Sequence, residues 1–91
     1  MRVELRPSLA SHVRLQIDPV TSEPVLLSPE NILTLNETSH DILTRCDGSK
    51  SVQSIIEELA SEYDTTAPSL SVDVIQFLGE LQQEKLIILL P

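Results

Sequence analysis

The spacing of apolar residues changes at Asn36 and divides the chain of 91 residues into two kinds of secondary structure. Before Asn36, the clearest pattern alternates apolar and polar residues, which is the period of a half-buried strand. After Asn36, apolar residues recur every three or four positions, which is the period of an amphipathic helix. Strands followed by helices predict a compact α+β domain.

The first part of the chain contains three candidate strands. His12–Asp18 alternates throughout, whereas Val25–Ser28 and Asn31–Leu35 are short apolar runs bounded by turn residues. Pro19 and Pro24 bracket the polar loop between the first two strands. Because the connections are short, we expect an antiparallel meander in which Asn31–Leu35 is an edge strand.

The second part contains three candidate helices. The first is expected to begin after the N-cap residue Asn36 and to end at Gly48, which suits the left-handed end of a helix. Ser51 caps a second helix with a regular apolar stripe, and a third is expected from Ser71, after a proline-containing loop, to about Lys85. The predicted order is β-β-β-α-α-α in one domain over residues 1–91, with an ordered core at about residues 6–88.

The third helix carries more apolar surface than one core face requires. Its apolar residues spread over about 160° of the helix, against the roughly 100° of an ordinary surface helix. Two interpretations stay open at this point, because these residues either belong entirely to the core or partly line a groove. The residues are Val74, Ile75, Phe77, Leu78 and Leu81.

The charge of the chain argues against two classes of partner. Fourteen acidic residues against six basic residues give a net charge of −8. Proteins that bind nucleic acids or anionic membranes neutralise phosphates with lysine and arginine, so we expect neither nucleic acid nor membrane as a partner. The third helix carries three acidic residues against Lys85 alone, which also disfavours a winged-helix protein that inserts this helix into DNA.

The sequence also indicates the cellular compartment in which the protein is expected. No apolar run approaches the roughly 18 residues that span a membrane, and residues 1–10 lack the apolar core of a signal peptide. The single cysteine cannot form a disulfide within the chain, which fits a reducing environment. We therefore expect a cytoplasmic protein.

Cys46 is the obvious candidate for a catalytic nucleophile, but the surrounding sequence argues against this role. A nucleophilic cysteine needs a nearby base and a lowered pKa, whereas Cys46 lies near a predicted helix C-terminus and precedes Asp47. His40 is six residues away and points elsewhere on the helix. His12, His40 and Cys46 match no zinc spacing. We predict no catalytic residue, no metal site and no cofactor, and a buried structural role for Cys46.

The remaining class is peptide recognition. An edge strand offers unpaired N–H and C=O groups that an extended peptide completes, and an apolar helix face beside it would supply side-chain pockets. The same edge would also allow two copies of the chain to pair as a homodimer. The candidate peptide-binding residues are Asn31, Ile32, Leu33, Thr34 and Leu35 on the strand and Val74, Ile75, Phe77, Leu78 and Leu81 on the helix.

Four segments of the chain resemble the PqqD family, whose members are small proteins of pyrroloquinoline quinone (PQQ) biosynthesis. The segments are RPSLASHVRLQIDP, VLLSPENILTLNETSHDILTRCDG, VQSIIEELASEYD and DVIQFLGELQQEKLI, so the resemblance runs from Arg6 to about Ile87. Its most specific parts are LNET at residues 35–38 and CDG at residues 46–48, in this order and after the VLLSPE turn.

The resemblance implies a non-enzymatic peptide chaperone with a winged-helix-like fold, the precursor-peptide recognition element, in the bacterial cytoplasm. Such a protein would bind the precursor peptide PqqA and deliver it to the radical S-adenosylmethionine (SAM) enzyme PqqE, which links a glutamate to a tyrosine of the precursor. The family resemblance implies that the leader, the segment of the precursor that is recognised, lies beside the third strand and against the third helix. It therefore favours the interpretation in which apolar residues of the third helix partly line a groove. Recognition proteins of other ribosomal modified-peptide pathways, including lasso peptides, share this domain, so a different precursor is the alternative.

Overall fold

The computed structural model describes all 91 residues and contains five strands in two sheets and three helices. The predicted α+β class is confirmed, although the comparison with a winged helix is loose because the structure has a second sheet. The elements in chain order are β1 (Arg6–Leu9), β2 (Arg14–Ile17), β3 (Pro24–Leu27), β4 (Ile32–Thr34), α1 (Glu37–Thr44), α2 (Val52–Glu62), α3 (Ala67–Gln83) and β5 (Ile87–Leu90).

The predicted order β-β-β-α-α-α omitted one strand at each end of the chain. β1 and β5 pair antiparallel, with Arg6 opposite Leu90 and Leu9 opposite Ile87. Neither segment shows the alternation of a half-buried strand, because β1 contains the buried Pro7 and β5 is apolar at every position. The two strands form only because the fold brings distant parts of the chain together.

The predicted meander is present as the antiparallel sheet β2-β3-β4. The first strand begins at Arg14, two residues later than expected, and the third is limited to Ile32–Thr34. β3 lies in the centre and β4 at one edge, with Leu26 opposite Leu33 in the β3–β4 register. This edge position of β4 is the feature on which the functional site depends.

The N-caps of the first two helices follow the sequence prediction. The side chain of Asn36 accepts a hydrogen bond from the Ser39 backbone N–H at 2.8 Å, and Ser51 accepts one from Ser54 at 3.1 Å. The predicted end of α1 at Gly48 is wrong, because α1 ends at Thr44 with Arg45 as its C-cap. Gly48 lies three residues further on and has a φ of 82°, which glycine adopts without a steric penalty. These local signals therefore set where α1 and α2 start.

The predicted start of the third helix at Ser71 is wrong. α3 begins at Ala67, because the Thr66 side chain caps it by accepting a hydrogen bond from the Ser69 N–H at 3.3 Å. Pro68 lies in the first helical turn, where its missing N–H costs nothing, and is not part of a loop. The additional turn extends α3 to 17 residues.

The core lies between the helices and the inner faces of both sheets. Fifteen buried residues form one cluster, and no buried side chain is polar or charged. α2 is the central helix, since Val52, Ile55 and Leu59 have no exposed surface. Burial of each such side chain contributes roughly 1.5–3 kcal/mol, so α2 anchors the fold on which β4 and α3 are placed.

Candidate functional site

β4 presents one open backbone edge. Ser28 and Asn31 exchange backbone hydrogen bonds at the β3–β4 turn, and the Leu35 N–H donates to the Pro24 carbonyl at 3.0 Å. Antiparallel ladders alternate between bonded and non-bonded pairs. The N–H and C=O groups of Ile32 and Thr34 therefore point away from β3, toward the side where the sheet has no further strand.

A groove of about 400 Å³ runs between β4 and the C-terminal half of α3. Leu33 of β4 and Phe77 of α3 both line it, and Leu81 and Leu86 complete its apolar lining with Ile32. Ile32 is 71% exposed and Leu33 is 41% exposed, so the two side chains add apolar surface next to each other at the groove. The full lining is Asn31, Ile32, Leu33, Phe77, Glu80, Leu81, Glu84 and Leu86.

The structure brings together half of the predicted peptide-binding residues. Thr34 is exposed at the end of β4, Leu35 turns into the core, and Ile75 is half-buried away from the groove. Val74 and Leu78 are fully buried, so a peptide has no surface of theirs to contact. The predicted residues that line the groove are Asn31, Ile32, Leu33, Phe77 and Leu81.

Three groove residues were not predicted, namely Glu80, Glu84 and Leu86. Glu80 and Glu84 lie three residues beyond Phe77 and Leu81, a spacing that places side chains on one side of a helix. This spacing is visible in the sequence, but acidic residues on a helix ordinarily indicate a solvated face and do not by themselves predict a groove. Leu86 enters the groove because the chain turns after α3, where Lys85 has a positive φ of 63°.

Cys46 is a buried structural residue, as predicted. Its side chain is 3% exposed, and its thiol donates to the Ile42 carbonyl with an Sγ–O distance of 3.3 Å. Burial, with a smaller contribution from the negative charge of the neighbouring Asp47, raises the pKa of the thiol to about 12. A thiol with this pKa is almost entirely protonated at neutral pH and is a poor nucleophile.

Charged residues of α2 and of the segment between α1 and α2 form an ion-pair network away from the groove. Arg45 contacts Glu58 at 3.1 Å and also pairs with Glu62, and Lys50 contacts Glu58 at 2.7 Å. Hydrogen bonds from Lys50 and Arg45 lower the pKa of Glu58. These contacts hold α1 and the following loop against α2, so we assign this network a structural role.

No three histidine, cysteine, aspartate or glutamate side chains lie close enough together to hold a metal ion. None of the three helices has the length and apolar character needed to cross a lipid bilayer.

The fold and the groove define a class of protein, a small α+β domain with an unpaired strand edge beside an apolar helix groove. Residues 23–87 match the family described as coenzyme PQQ synthesis protein D (PqqD). A protein of Xanthomonas oryzae pv. oryzae named PqqA binding protein is 39% identical over 82 residues, which are 90% of this chain and 89% of the relative. The chain belongs to the PqqD family.

Two solved structures share the fold. The PqqD truncation of Methylobacterium extorquens PqqCD, described as a functional and stand-alone recognition element for ribosomally synthesised and modified peptides, has a TM-score of 0.76 and 30% identity, covering 90% of this chain and 87% of that one. PqqD from Xanthomonas campestris has a TM-score of 0.59 and 35% identity, covering 87% of this chain and 88% of that one. The likeness therefore extends over most of the domain in both structures.

Proposed function

We propose that this chain is a non-catalytic peptide chaperone of PQQ biosynthesis that binds the precursor peptide PqqA and presents it to the radical SAM enzyme PqqE. The observation that carries the proposal is the open edge of β4, where the backbone groups of Ile32 and Thr34 face no further strand and an apolar groove lies alongside. The names of the Xanthomonas oryzae relative and of the Methylobacterium extorquens recognition element support it.

The precursor binds as an additional strand of the meander. Its backbone completes the hydrogen bonds of Ile32 and Thr34, and these backbone bonds do not depend on the peptide sequence. Its side chains enter the groove over Leu33 and Phe77, where the sequence of the peptide matters. Because a flexible leader loses conformational entropy when it binds, part of the interaction free energy is consumed and the affinity is moderate.

The protein holds the precursor for another enzyme and supplies no reacting group of its own. Its one thiol, that of Cys46, is buried and has a raised pKa. The acidic surface of α3, with Asp73, Glu80 and Glu84, supports a peptide in preference to DNA as the partner. A free thiol also fits action in the reducing bacterial cytoplasm.

The free edge of β4 also supports the expected homodimer, in which the edges of two copies pair. Peptide and second copy would then compete for Ile32 and Thr34. Sedimentation velocity with and without the precursor tests this, since added peptide should convert any dimer to a 1:1 complex of chain and peptide. A dimer that persists with peptide bound would place the dimer contact elsewhere.

Isothermal titration with the synthetic precursor encoded beside the gene for this chain tests the proposed function. We expect saturable 1:1 binding that a scrambled peptide of the same composition does not show. The second arm measures glutamate–tyrosine cross-linking by the radical SAM enzyme with and without this chain. Absence of peptide binding would contradict the recognition role, whereas binding without any effect on cross-linking would contradict only the delivery to that enzyme.

A further inference from the structure

The groove has an acidic rim on the α3 side. Glu80 and Glu84 line it opposite β4, and no lysine or arginine lines it. Neither carboxylate takes part in an ion pair, because the four ion pairs of the structure use other residues. The one side-chain hydrogen bond of Glu80 comes from Gln76, at 3.5 Å.

This rim is electrostatically unfavourable in the free protein. Glu80 and Glu84 are four residues apart, a spacing at which like charges repel across a helical turn. Glu84 is also the C-cap of α3, and the last turn of α3 contains no basic residue to offset the negative end of the helix dipole. A cation bound between the two carboxylates would relieve both effects.

The surrounding charges do not neutralise the rim. Lys85 and His12 line the adjoining cavity, but Glu30 and Glu84 line the same cavity. Because the groove itself contains two carboxylates and no basic side chain, the potential inside it is negative. The segment that enters the groove is thus expected to be basic.

The period of a strand indicates where the basic residue of the bound peptide lies relative to its apolar residue. Asn31 and Leu33 are two residues apart, so their side chains share one face of the strand, the face of the buried Leu35. Leu33 lines the groove with Phe77, whereas Asn31 is the β4-side residue that lines both the groove and the adjoining cavity with Glu84. Side chains of an added strand follow the same period of two.

We propose that the precursor segment paired with β4 carries a lysine or arginine two residues from an apolar residue, with the apolar side chain over Leu33 and Phe77 and the cation between Glu80 and Glu84. This inference rests on the proposed function and specifies the chemistry of the peptide that the groove accepts. Fluorescence anisotropy of the labelled precursor tests it, with the wild-type peptide and with copies in which each lysine or arginine is replaced by glutamine.

The Glu80→Gln/Glu84→Gln double variant should bind the precursor roughly fivefold more weakly at low salt, as expected for the loss of two exposed ion pairs. It should melt at the same or a higher temperature than the wild type, because the repulsion between the carboxylates is removed. Asp73→Asn on the same helix and Glu57→Gln on α2 each remove one charge outside the groove and should leave the affinity unchanged.

A double-mutant cycle distinguishes this inference from the proposed function. One lysine or arginine of the peptide should lose its contribution to affinity in the double variant, and that residue should lie two positions from an apolar one. Unchanged affinity of the double variant for the wild-type precursor would overturn the acidic-rim proposal and leave peptide recognition intact. Failure of the wild-type protein to bind the precursor would overturn both.

Discussion

Thr34 lies opposite Val25 at a non-hydrogen-bonded position of the β3–β4 ladder, so its N–H and C=O point to the open edge. The neighbouring Leu33 lies opposite Leu26 at a bonded position, and its backbone groups are used within the sheet. The open edge therefore consists of alternate residues of β4, and Ile32 and Thr34 are the two that offer backbone groups to a new strand.

Replacement of Thr34 by proline tests this alternation. Thr34→Pro removes only an outward N–H and should keep the sheet folded, since proline is tolerated on edge strands with this orientation. The loss of one hydrogen bond and the added ring should weaken precursor binding at least about tenfold.

Two matched variants control for the proline substitution. Thr34→Ala keeps the outward N–H and should bind normally, whereas Leu33→Pro breaks a bond to β3 and should lower the melting temperature. Calorimetric titration and circular dichroism melts measure the two effects separately. Normal precursor binding by a folded Thr34→Pro variant would contradict pairing at this edge.

Truncation of Leu78 should lower the stability of the fold, whereas truncation of Ile32 should weaken peptide binding. The sequence predicts both residues as peptide contacts. Leu78 has no exposed surface, so Leu78→Ala should lower the free energy of unfolding by about 2–5 kcal/mol. Ile32 is 71% exposed, so Ile32→Ala should change stability by no more than about 0.5 kcal/mol and should weaken precursor binding. Urea denaturation and peptide titration of both variants provide the check, and a stable Leu78→Ala protein would refute the assignment of Leu78 to the core.

The raised pKa of Cys46 predicts a loss of stability in alkali. The thiol has a pKa of about 12 in the folded protein against the usual value of 9.0, so it ionises only in the unfolded chain as the pH rises from 9 toward 12. The stability is fully present below pH 9.0 and falls above it, by about 1.4 kcal/mol per pH unit.

Urea denaturation of the wild type and of Cys46→Ala between pH 8 and pH 10.5 measures this contribution. The wild type should show the steeper decline, because the variant has no thiol to ionise. Equal slopes would mean that Cys46 ionises equally well in the folded protein, contrary to its burial. Cys46→Ala should still bind the precursor at neutral pH, since the residue lies outside the groove.

Replacement of the two glycines by alanine should change the stability of the fold in opposite directions. Gly48 has a φ of 82°, and an added Cβ would lie 3.0 Å from Leu90 Cδ1, so Gly48→Ala should destabilise the fold by about 1–2 kcal/mol. Gly79 lies inside α3, and apart from the adjoining helix backbone no atom lies within 4 Å of an added Cβ, so Gly79→Ala should stabilise by up to about 1 kcal/mol. Chemical denaturation of both variants tests the pair, and destabilisation by Gly79→Ala would point to a close contact at that position.

Features that depend on neighbouring residues were predictable from the sequence. The caps at Asn36 and Ser51, the stripe of α2 and the edge position of the third strand all follow from spacing and turn residues. Cys46 was assigned to the core because a helix C-terminus and an adjacent Asp47 do not favour a thiolate.

Features that depend on the assembled fold were not predictable in this way. The β1–β5 sheet joins the two ends of the chain, and its strands lack alternation. The division of α3 residues between core and groove depends on where β4 and the chain after α3 pack. Spacing alone therefore could not separate Phe77, which lines the groove, from Leu78, which is fully buried.

Residue-specific amide hydrogen exchange, followed by NMR with and without the precursor, tests the central claim most directly. In the free protein the amides of Ile32 and Thr34 should exchange rapidly, whereas that of Leu33 should already be protected by its bond to β3. Saturating precursor should slow exchange at Ile32 and Thr34 in particular, which is the alternating pattern of an added strand. Bound precursor with unchanged exchange at both amides would contradict strand addition at β4.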